Sequence, residues 1–418
     1  MATKVAIVGL SARGATGWGS NAHLPYLLSE RGRQNFTIVA LLNSSDSAAR
    51  GAIAQFELAA TVKPYGDAQT FADDVLAKKI DVDLVVVSTR VDVHYPAIQP
   101  LLKTAANAGK KADGLKVLVE WPLTSNVDDA RELTGLAASA GIKTAVALQG
   151  RFAPWYRAIR DVILAGKIGR VLSSEASGYG GSLSRTSIPE ALAYFVDRSF
   201  GGNLHTIGLG HLIDTIQATI GELDPARTTA LTQLQRPDVH VRRATADGSS
   251  ETVEIKKANV PDLIAVLGRL SPLAVPGAKA PSPYLDGSAT LSVRLRRGEP
   301  FLGQPAYVWT INGEKGEIRL VAESGPSTQA FGGGNNNTGP SAINVEVHDF
   351  ETNKVTTVPW EWQDWQSALT SVPARNIGSV YEALLAHGDA DPAHEHATFA
   401  DALARQEQLE SYLKDFEE

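Results

Sequence analysis

The sequence predicts an α/β Rossmann domain with a parallel sheet, followed by an α+β domain with a large, mostly antiparallel open sheet. In the first 150 residues, short continuous apolar runs alternate with helical patterns, which is typical of a parallel sheet covered on both faces. Later segments are longer and alternate apolar with polar residues, as strands with one solvated face do. A length of 418 residues also favours two domains over a single core.

The first domain, residues 1–150, is predicted from five buried-strand runs. They lie at residues 5–8, 36–42, 83–88, 116–120 and 144–148. Helical patterns at residues 21–31 and 48–58 follow the first two runs. Strands that alternate with helices in this way predict right-handed βαβ units and therefore a parallel sheet.

The second domain, residues 151–380, is predicted because the pattern of apolar and polar residues changes after residue 150. A helix at residues 154–165 ends at Gly166, and a strand follows at residues 170–177. Residues 287–297 alternate as a half-solvated antiparallel strand should, and residues 307–312 and 317–321 form a hairpin around a glycine-containing turn. The Gly- and Asn-rich residues 331–340 predict a mobile surface loop. Residues 381–418 form a C-terminal helical segment with an amphipathic helix at 397–416.

Composition excludes several classes of function. The formal net charge is -7 and no basic run is present, which disfavours direct nucleic-acid binding. The absence of cysteine excludes disulfides, thiolate nucleophiles and Cys-ligated metals. No run approaches the roughly 18 apolar residues of a membrane span, and the start becomes glycine-rich too soon for a signal peptide. We therefore expect a cytoplasmic protein that does not enter the membrane.

The turn after the first strand predicts a dinucleotide site. Gly9 and Gly14 lie between that strand and the next helix, where free N–H groups and the helix dipole can hold a pyrophosphate. Ser11 takes the middle glycine position of the G-x-G-x-x-G motif, so the match is incomplete. The alternative is a tight strand–helix turn without a ligand.

The end of the second strand bears on which cofactor binds. An acidic residue usually stands there to bind the ribose 2′-OH of NAD, but this chain has Asn43, Ser44 and Ser45, with Arg50 one or two turns later. Without a carboxylate to repel a 2′-phosphate, NADP is favoured, and NAD stays possible. These residues are also typical N-cap residues of the following helix, and both roles can hold.

Several motifs together resemble a known superfamily. They are VAIVG at 5–9, VVVST at 85–89 with His94 beyond it, EWP at 120–122, KIGRV at 167–171, and the stretch from Gly201 to the HLID at 211–214. The chain resembles the glucose–fructose oxidoreductase/inositol dehydrogenase (Gfo/Idh/MocA) superfamily over nearly its whole length. VEWPL at 119–123, LQGR at 148–151 and INGEKG at 311–316 are similar to the subgroup of the yeast galactose-pathway repressor. The resemblance implies homodimers formed through the second-domain sheet, and last helices that pack back toward the first domain.

The resemblance also identifies residues that are replaced. Enzymes of the superfamily use a Lys in a Glu-Lys-Pro triplet, and an Asp four residues before a His, to move the substrate's proton. In this chain Trp121 stands at the Lys position and Ile207 at the Asp position, while His211 remains, with Asp214 one turn later. The indole N–H can only donate and the Ile side chain has no polar atom, so two of three relay positions cannot accept a proton.

The candidate site residues follow from these motifs. We predict His211 as a lone acid because an imidazole changes charge near neutral pH, and Trp121 as a flat wall for nicotinamide or a planar substrate. The resemblance makes a cis Trp121–Pro122 bond possible. Tyr179 is a further catalytic candidate, as a donor to a substrate oxygen. The remaining candidates are Ser88, Thr89, His94 and Glu120 for the cofactor, and Arg151, Tyr194, His205 and His211 for the substrate.

Each of these candidates has a structural alternative. A histidine can be satisfied by a backbone carbonyl, a tyrosine at a domain boundary can simply pack, and Arg151 can fix the hinge instead of binding an anionic substrate. His394 and His396 are two residues apart and would not share a helix face, so we predict no metal site.

Three functions remain open. The first is an NAD(P)-dependent oxidoreductase with altered proton chemistry, acting on an activated C=C, C=N or C=O bond of a small molecule. The second, which the resemblance implies, is a non-catalytic dinucleotide-sensing regulator that binds an activator segment in its cleft. The third keeps the cofactor for a non-redox reaction, although no residue argues for it. The polar residues 182–187 near the expected cleft favour the first function.

Overall fold

The computed structural model describes most of the chain. The described residues are 2–11, 17–107, 112, 114–180, 184–272, 282–333, 342–385 and 396–417. Gly14, His394 and residues 334–340 of the predicted surface loop lie outside these ranges.

A parallel sheet forms the core of the first domain, as the sequence predicts, and it has six strands where five were predicted. The strands are β1 (Thr3–Val8), β2 (Phe36–Leu42), β3 (Lys63–Tyr65), β4 (Leu84–Val87), β5 (Lys116–Glu120) and β6 (Lys143–Ala147). Their order in the sheet is β3-β2-β1-β4-β5-β6. The strand order reverses between β1 and β4, so the carboxyl ends of these two strands border the crevice in which a Rossmann fold binds its ligands.

Helices cover the faces of this sheet. They include α1 (Leu24–Leu28), α2 (Glu30–Asn35), α3 (Asp46–Gln55), α4 (Ala68–Leu76), α5 (His94–Asn107) and α6 (Val127–Ala140). The helix predicted at residues 21–31 is divided: a π-helical turn, Gly19–His23, runs into α1, which ends at Ser29. The extended Ser29 then caps α2 by accepting a hydrogen bond from the Gly32 N–H at 3.0 Å.

The second domain contains an eight-stranded sheet and a small three-stranded sheet. The strands are β7 (Val171–Tyr179), β8 (Ser187–Pro189), β9 (Leu223–Gln233), β10 (Asp238–Ala244), β11 (Ser250–Lys257), β12 (Leu263–Leu270), β13 (Thr290–Arg296), β14 (Tyr307–Gly313), β15 (Gly316–Ala322), β16 (Ile343–Asp349) and β17 (Lys354–Thr357). The large sheet has the order β17-β16-β15-β14-β7-β13-β12-β9, and the small one β11-β10-β8. The prediction of a large, mostly antiparallel sheet is confirmed, including the β14–β15 hairpin.

The strand predicted at residues 287–297 differs from expectation in its pairing. Strand β13 is antiparallel to β12 but parallel to β7. Its side chains alternate between buried and more exposed positions, as the sequence pattern indicates. The alternation fixes which face of a strand is buried, but it does not determine the direction of the neighbouring strand.

Four helices connect these sheets to the rest of the fold: α7 (Pro154–Leu164), α8 (Gly210–Ile220), α9 (Thr328–Phe331) and α10 (Asp364–Ser367). A second π-helical turn, Leu204–Leu209, leads directly into α8. Such turns often occur at functional sites, and here both π-helical turns lead directly into a helix. No helix within the described ranges is long and apolar enough to cross a membrane.

The last two helices pack on the first domain. Helix α11 (Val372–Leu385) buries Ile377 and Tyr381 in one core cluster with Val5 and Ile7 of β1. Helix α12 (Phe399–Ser411) contacts α6, and just before it the Ala397 carbonyl accepts a hydrogen bond from the Val146 N–H at 2.7 Å. Residue 380 lies inside α11, and the boundaries 1–150, 151–380 and 381–418 stay a prediction.

Candidate functional site

A cleft of about 1070 Å³ lies between the two domains, at the crevice where the strand order reverses. This volume exceeds the roughly 300–1,000 Å³ of a typical pocket for one small ligand. The cleft is therefore large for a single small ligand. Among the predicted site residues, those that line it are Gly9, Ser11, Asn43, Ser44, Ser88, Thr89, His94, Glu120, Trp121, Tyr194 and His211.

Gly9 allows the chain to turn tightly beside β4. Its φ of +94° is in the region that favours glycine. A Cβ added there would lie 2.3 Å from Cγ2 of Thr89 and 2.9 Å from the backbone oxygen of Ser88. The turn is thus closed against the end of β4, which is the arrangement needed for a backbone to approach a pyrophosphate.

The end of β2 supplies neutral polar groups. Asn43 donates from Nδ2 to the Leu10 carbonyl at 3.0 Å, and its Oδ1 is buried without a partner among the described residues. Ser45 accepts a hydrogen bond from the Ala48 N–H at 3.1 Å and does not line the cleft, so its observed role is that of an N-cap. The small residues Gly51, Ala52 and Gly66 also line this end of the cleft and leave space for a flat ring. These features fit the nucleotide end of a dinucleotide.

Trp121 forms part of the cleft wall and is only 4% exposed. The Trp121–Pro122 bond is cis, and the indole Nε1 donates to the Thr206 carbonyl at 2.9 Å. A Cβ on Gly210 would lie 2.6 Å from that nitrogen, so the glycine at the start of α8 makes space for the indole. Since its single N–H is already bonded, Trp121 can offer a flat apolar surface but no proton acceptor.

His211 lines the cleft, and its imidazole is neutral at pH 7. Burial lowers its pKa to about 4, although the charges of Glu120 and Asp214 act in the opposite direction. Its Nδ1 is buried and has no hydrogen-bond partner among the described residues. The expectation that this residue changes charge near neutral pH is therefore wrong in this environment: at pH 7 the ring is neutral and can donate or accept a hydrogen bond.

A buried network that the sequence analysis missed lies directly behind this wall. Nε2 of His23 is 2.7 Å from Oε1 of Glu120, and Nδ1 is 2.9 Å from the Tyr381 hydroxyl. His23 is fully buried, and Glu120, which also lines the cleft, is 7% exposed. Burial raises the pKa of Tyr381 well above its usual value, and the charge of Glu120 adds to the effect, so the phenol stays protonated. No local pattern marks His23, because its partners lie 97 and 358 residues away in sequence.

Two predicted substrate residues bind other groups of the protein and do not line the cleft. Arg151 donates two hydrogen bonds to the carboxylate of Asp214, at 2.9 and 2.7 Å, and Asp214 also lies 3.3 Å from Arg405. Neither Arg151 nor His205 lines the cleft. Nε2 of His205 is 2.8 Å from the Leu409 carbonyl, and burial lowers its pKa to about 4. The structure thus supports the hinge role of Arg151 and a packing role for His205.

The two candidate tyrosines occupy different positions. Tyr179 does not line the cleft; its ring lies under the guanidinium of Arg296, 4.7 Å from the ring centroid. Tyr194 does line it, and Arg90 lies over its ring at 5.4 Å. His94 lines the cleft as well, but both of its ring nitrogens are close to backbone carbonyls, those of Pro122 at 2.9 Å and Thr89 at 3.1 Å.

The second-domain wall is more apolar than the sequence predicts. Within the polar stretch 182–187, residues 182 and 183 lie outside the described ranges, and residues 184–187 do not line the cleft. Arg185 instead donates to the carbonyls of Glu299 and Pro300 at 3.0 and 3.2 Å. The large apolar side chains that the second domain contributes to the cleft are Leu192, Tyr194, Phe195, Leu204, Ile207 and Phe331. In the described ranges no three His, Asp or Glu side chains are grouped so as to hold a metal ion.

Two family models match successive parts of the chain. Residues 3–148 match the Gfo/Idh/MocA model, described as an oxidoreductase family with an NAD-binding Rossmann fold. Residues 154–322 match the model of the Gal80p C-terminal domain.

Similar proteins include both regulators and enzymes. The galactose/lactose metabolism regulatory protein GAL80 of Saccharomyces cerevisiae is 27% identical over 77% of this chain and 67% of its own length. Its Kluyveromyces lactis counterpart is 24% identical over 77% of this chain and 64% of its own length. Dehydrogenase aclE of Aspergillus oryzae is 28% identical over 60% of this chain and 59% of its own length. The matched segments thus span about two thirds or less of these relatives.

Solved structures share the whole fold. A super-repressor mutant of S. cerevisiae Gal80p superposes with a TM-score of 0.79 at 22% identity, covering 99% of this chain and 96% of that one. Levoglucosan dehydrogenase in complex with NADH and levoglucosan gives a TM-score of 0.67 at 15% identity, covering 99% and 97%. Regulators and enzymes therefore occur on this one architecture, and the fold alone does not distinguish them.

Proposed function

We propose that this chain, which joins a Rossmann domain of the Gfo/Idh/MocA oxidoreductase family to a Gal80-like C-terminal domain, is an NAD(P)-dependent oxidoreductase. Its substrate would be a small molecule with an activated C=C, C=N or C=O bond that is reduced. The observation that carries this proposal is that Gly9, the indole of Trp121 and the imidazole of His211 line one continuous cleft. Nδ1 of that imidazole has no hydrogen-bond partner among the described residues. Cofactor and substrate could therefore meet there.

The cofactor in this proposal is a nicotinamide dinucleotide, which supplies hydride when bound. The turn at Gly9 would hold its pyrophosphate, and Asn43 and Ser44 its adenosine ribose. NADP(H) is favoured over NAD(H) because no carboxylate lines the end of β2 among the described residues. Arg50 would have to leave its exposed ion pair with Asp46, at 3.2 Å, to reach a 2′-phosphate.

Reduction is proposed in preference to alcohol oxidation because the usual Lys and Asp are absent and burial, which lowers the pKa of His211 to about 4, makes it a weak base. Oxidation needs a proton acceptor beside the hydroxyl, and neither Trp121 nor Ile207 has one. A neutral His211 can instead donate a hydrogen bond to a carbonyl or imine and polarise it. The proton that completes the reduction would come from water or from the network of Glu120 and His23. Trp121 would exclude water from one side of the reacting groups.

The test has a binding arm and a turnover arm. Titration with NADPH and NADH should raise the unfolding temperature and quench tryptophan fluorescence, and the quench should shrink in Trp121→Phe. No response at millimolar dinucleotide would remove the cofactor from the proposal. Consumption of NADPH is then screened against carbonyl, imine and enone panels, with His211→Ala as the variant expected to lose rate and not cofactor affinity.

A second candidate function is a dinucleotide-sensing regulator that resembles the yeast galactose-pathway repressor. The apolar second-domain wall favours it, since a partner helix would bind to such a surface. A regulator would bind NADPH without turning over any member of the panels. It would also bind its protein partner with an affinity that changes when NADPH is added.

Two further properties belong to this proposal. The protein would act in the cytoplasm, and it would form homodimers through the large second-domain sheet. By strand register Leu231 and Leu267 lie on one face of that sheet, and both are more than half exposed, at 59% and 53%. Light scattering should give a dimer for the protein and a monomer for Leu231→Lys.

A further inference from the structure

We infer that the substrate side of the cleft accepts an uncharged, flat and largely apolar molecule, in preference to a sugar or a carboxylate. This inference rests on the proposed function for the reaction itself. The binding preference can be measured separately from turnover. Its basis is the combination of an apolar wall, charges that are already paired, and few polar side chains.

The wall of the second domain is built from hydrocarbon and aromatic surface. Leu192, Phe195, Leu204 and Ile207 line it, and the ring of Tyr194 continues it. The indole of Trp121, bonded to the Thr206 carbonyl at 2.9 Å beside Ile207, continues this apolar surface. Such a surface favours a molecule that removes apolar area from water and can stack against an aromatic ring.

The charged groups at the cleft already have partners within the protein. Arg90 makes two hydrogen bonds to Asp92, at 2.6 and 2.7 Å, and Glu120 is bonded to His23. His211 is neutral at pH 7 because burial lowers its pKa to about 4. A charged substrate would lose its hydration without gaining a counter-ion, which is strongly unfavourable.

Polar side chains are also too few for a sugar. Among the described second-domain residues at the cleft, the polar side chains besides the Tyr194 hydroxyl are those of His211, Ser327 and Gln329. A sugar has a hydroxyl group on most of its ring carbons, and several would stay unpaired against Leu and Ile side chains. Each unpaired buried hydroxyl is costly, so these polar groups suit one or two oxygens at one end of a ligand.

The depth of the cleft favours a small molecule over a peptide. Leu204, Trp121 and His211 are buried, whereas Phe331 at 50% and Val93 at 40% are the large apolar residues of this lining with substantial exposure. An occupant must therefore enter the cleft to reach the apolar surface. Leu192, Phe195 and Ile207 are half-buried, so a helix that stays at the opening would reach only part of the apolar surface.

The experiment measures binding of four probes to NADPH-saturated protein by calorimetry. Butyrophenone has two methylenes more than acetophenone, and at about fourfold per buried methylene it should bind about fifteenfold tighter. Phenylglyoxylate has the same ring as acetophenone plus a carboxylate, and it should bind at least tenfold weaker than acetophenone. D-glucose should show no binding at the concentrations at which butyrophenone saturates the protein.

Variants locate the binding to this cleft. Ile207→Asp places a charge in the apolar wall and should weaken butyrophenone binding at least tenfold, and the uncharged Ile207→Asn should weaken it less. Leu302→Asp makes the same chemical change at a side chain that is 95% exposed and should leave butyrophenone binding intact. Thermal unfolding of each variant shows that it is folded.

Several results would overturn the inference. One is binding of D-glucose or phenylglyoxylate at least as tight as that of acetophenone, and another is equal affinity for the two ketones. A third is a protein that binds an amphipathic helical peptide at this cleft but neither ketone. Failure of NADPH to bind, in contrast, counts against the proposed function, because the ketone series can be repeated without cofactor.

Discussion

Replacement of His23 by leucine tests the buried network behind the cleft. His23 joins Glu120, at the end of β5, to Tyr381 on α11, through contacts of 2.7 and 2.9 Å. A leucine of similar volume fills the space but offers no hydrogen bond. The carboxylate of Glu120 and the hydroxyl of Tyr381 would then both be left without a partner in a buried environment.

The expected loss of stability follows from those two groups. A buried hydrogen-bonding group left without its partner costs about 1–3 kcal/mol, and more when the group is charged. Because Glu120 borders the cleft, water can replace part of the lost bond, so we expect about 3 kcal/mol in total. For a 418-residue chain that unfolds as a unit, the unfolding entropy is about 0.9 kcal/mol/K, which gives a lower unfolding temperature by about 3 °C.

The assay is thermal unfolding of four proteins that form a double-mutant cycle: the wild type, His23→Leu, Glu120→Leu and the double variant. The double variant should recover much of the loss, since replacing both members of a buried pair by apolar groups is far less costly than removing one. A loss below 1 °C for His23→Leu, or strictly additive losses in the double variant, would refute the reasoning.

Other predictions follow from single positions. Gly9→Ala should reduce NADPH affinity at least tenfold in calorimetry, because its Cβ would lie 2.9 Å from a backbone oxygen; Gly135→Ala, where a Cβ meets nothing within 4 Å, should not. Burial opposes ionisation of Asp214, but the charges of Arg151 and Arg405 outweigh it and hold its pKa below the usual value. A carboxyl with a depressed folded-state pKa contributes stability above its unfolded pKa that is lost on acidification, so urea unfolding between about pH 5 and pH 2 should show a steeper loss for the wild type than for Asp214→Asn. Trp121→Lys alone should give no robust alcohol oxidation in a dinucleotide-reduction assay, whereas adding Ile207→Asp should restore it; strong activity of the single variant would contradict the relay.

The first-domain fold was predictable because burial on both faces leaves a clear pattern. Strands β2 and β5 begin and end at the predicted residues, 36–42 and 116–120, since each is a continuous apolar run. The short edge strand β3 was missed because three residues are too few to show the alternation of apolar and polar residues that marks a strand. The break at Ser29 was missed because a capping serine inside an apolar pattern does not interrupt its periodicity.

The site was predictable only where position in the fold determines it. Strand ends at the point where the sheet order reverses face the crevice in any Rossmann domain, so Gly9, Ser88 and Asn43 could be placed at the cleft in advance. His23 and Arg151 could not be assigned, because their roles depend on partners far away in sequence. The pKa of His211 depends on its burial, which motif spacing does not report.

The way Trp121 is held argues against a decayed active site. If Lys had been lost without a new use for the position, the bulky indole would be expected to leave strain, a void or an unpaired N–H. Instead the absence of a side chain at Gly210 makes space for the ring, and Thr206, on the π-helical turn before α8, accepts its hydrogen bond at 2.9 Å. Ile207, on the same turn, extends the apolar surface. Relative to the pattern that the resemblance implies, Trp121 and Ile207 both stand where ionisable residues are expected, and Gly9 still turns at the end of β1. Under the proposed function, selection for an apolar ligand accounts for both replacements, whereas simple loss of catalysis would not require them to match.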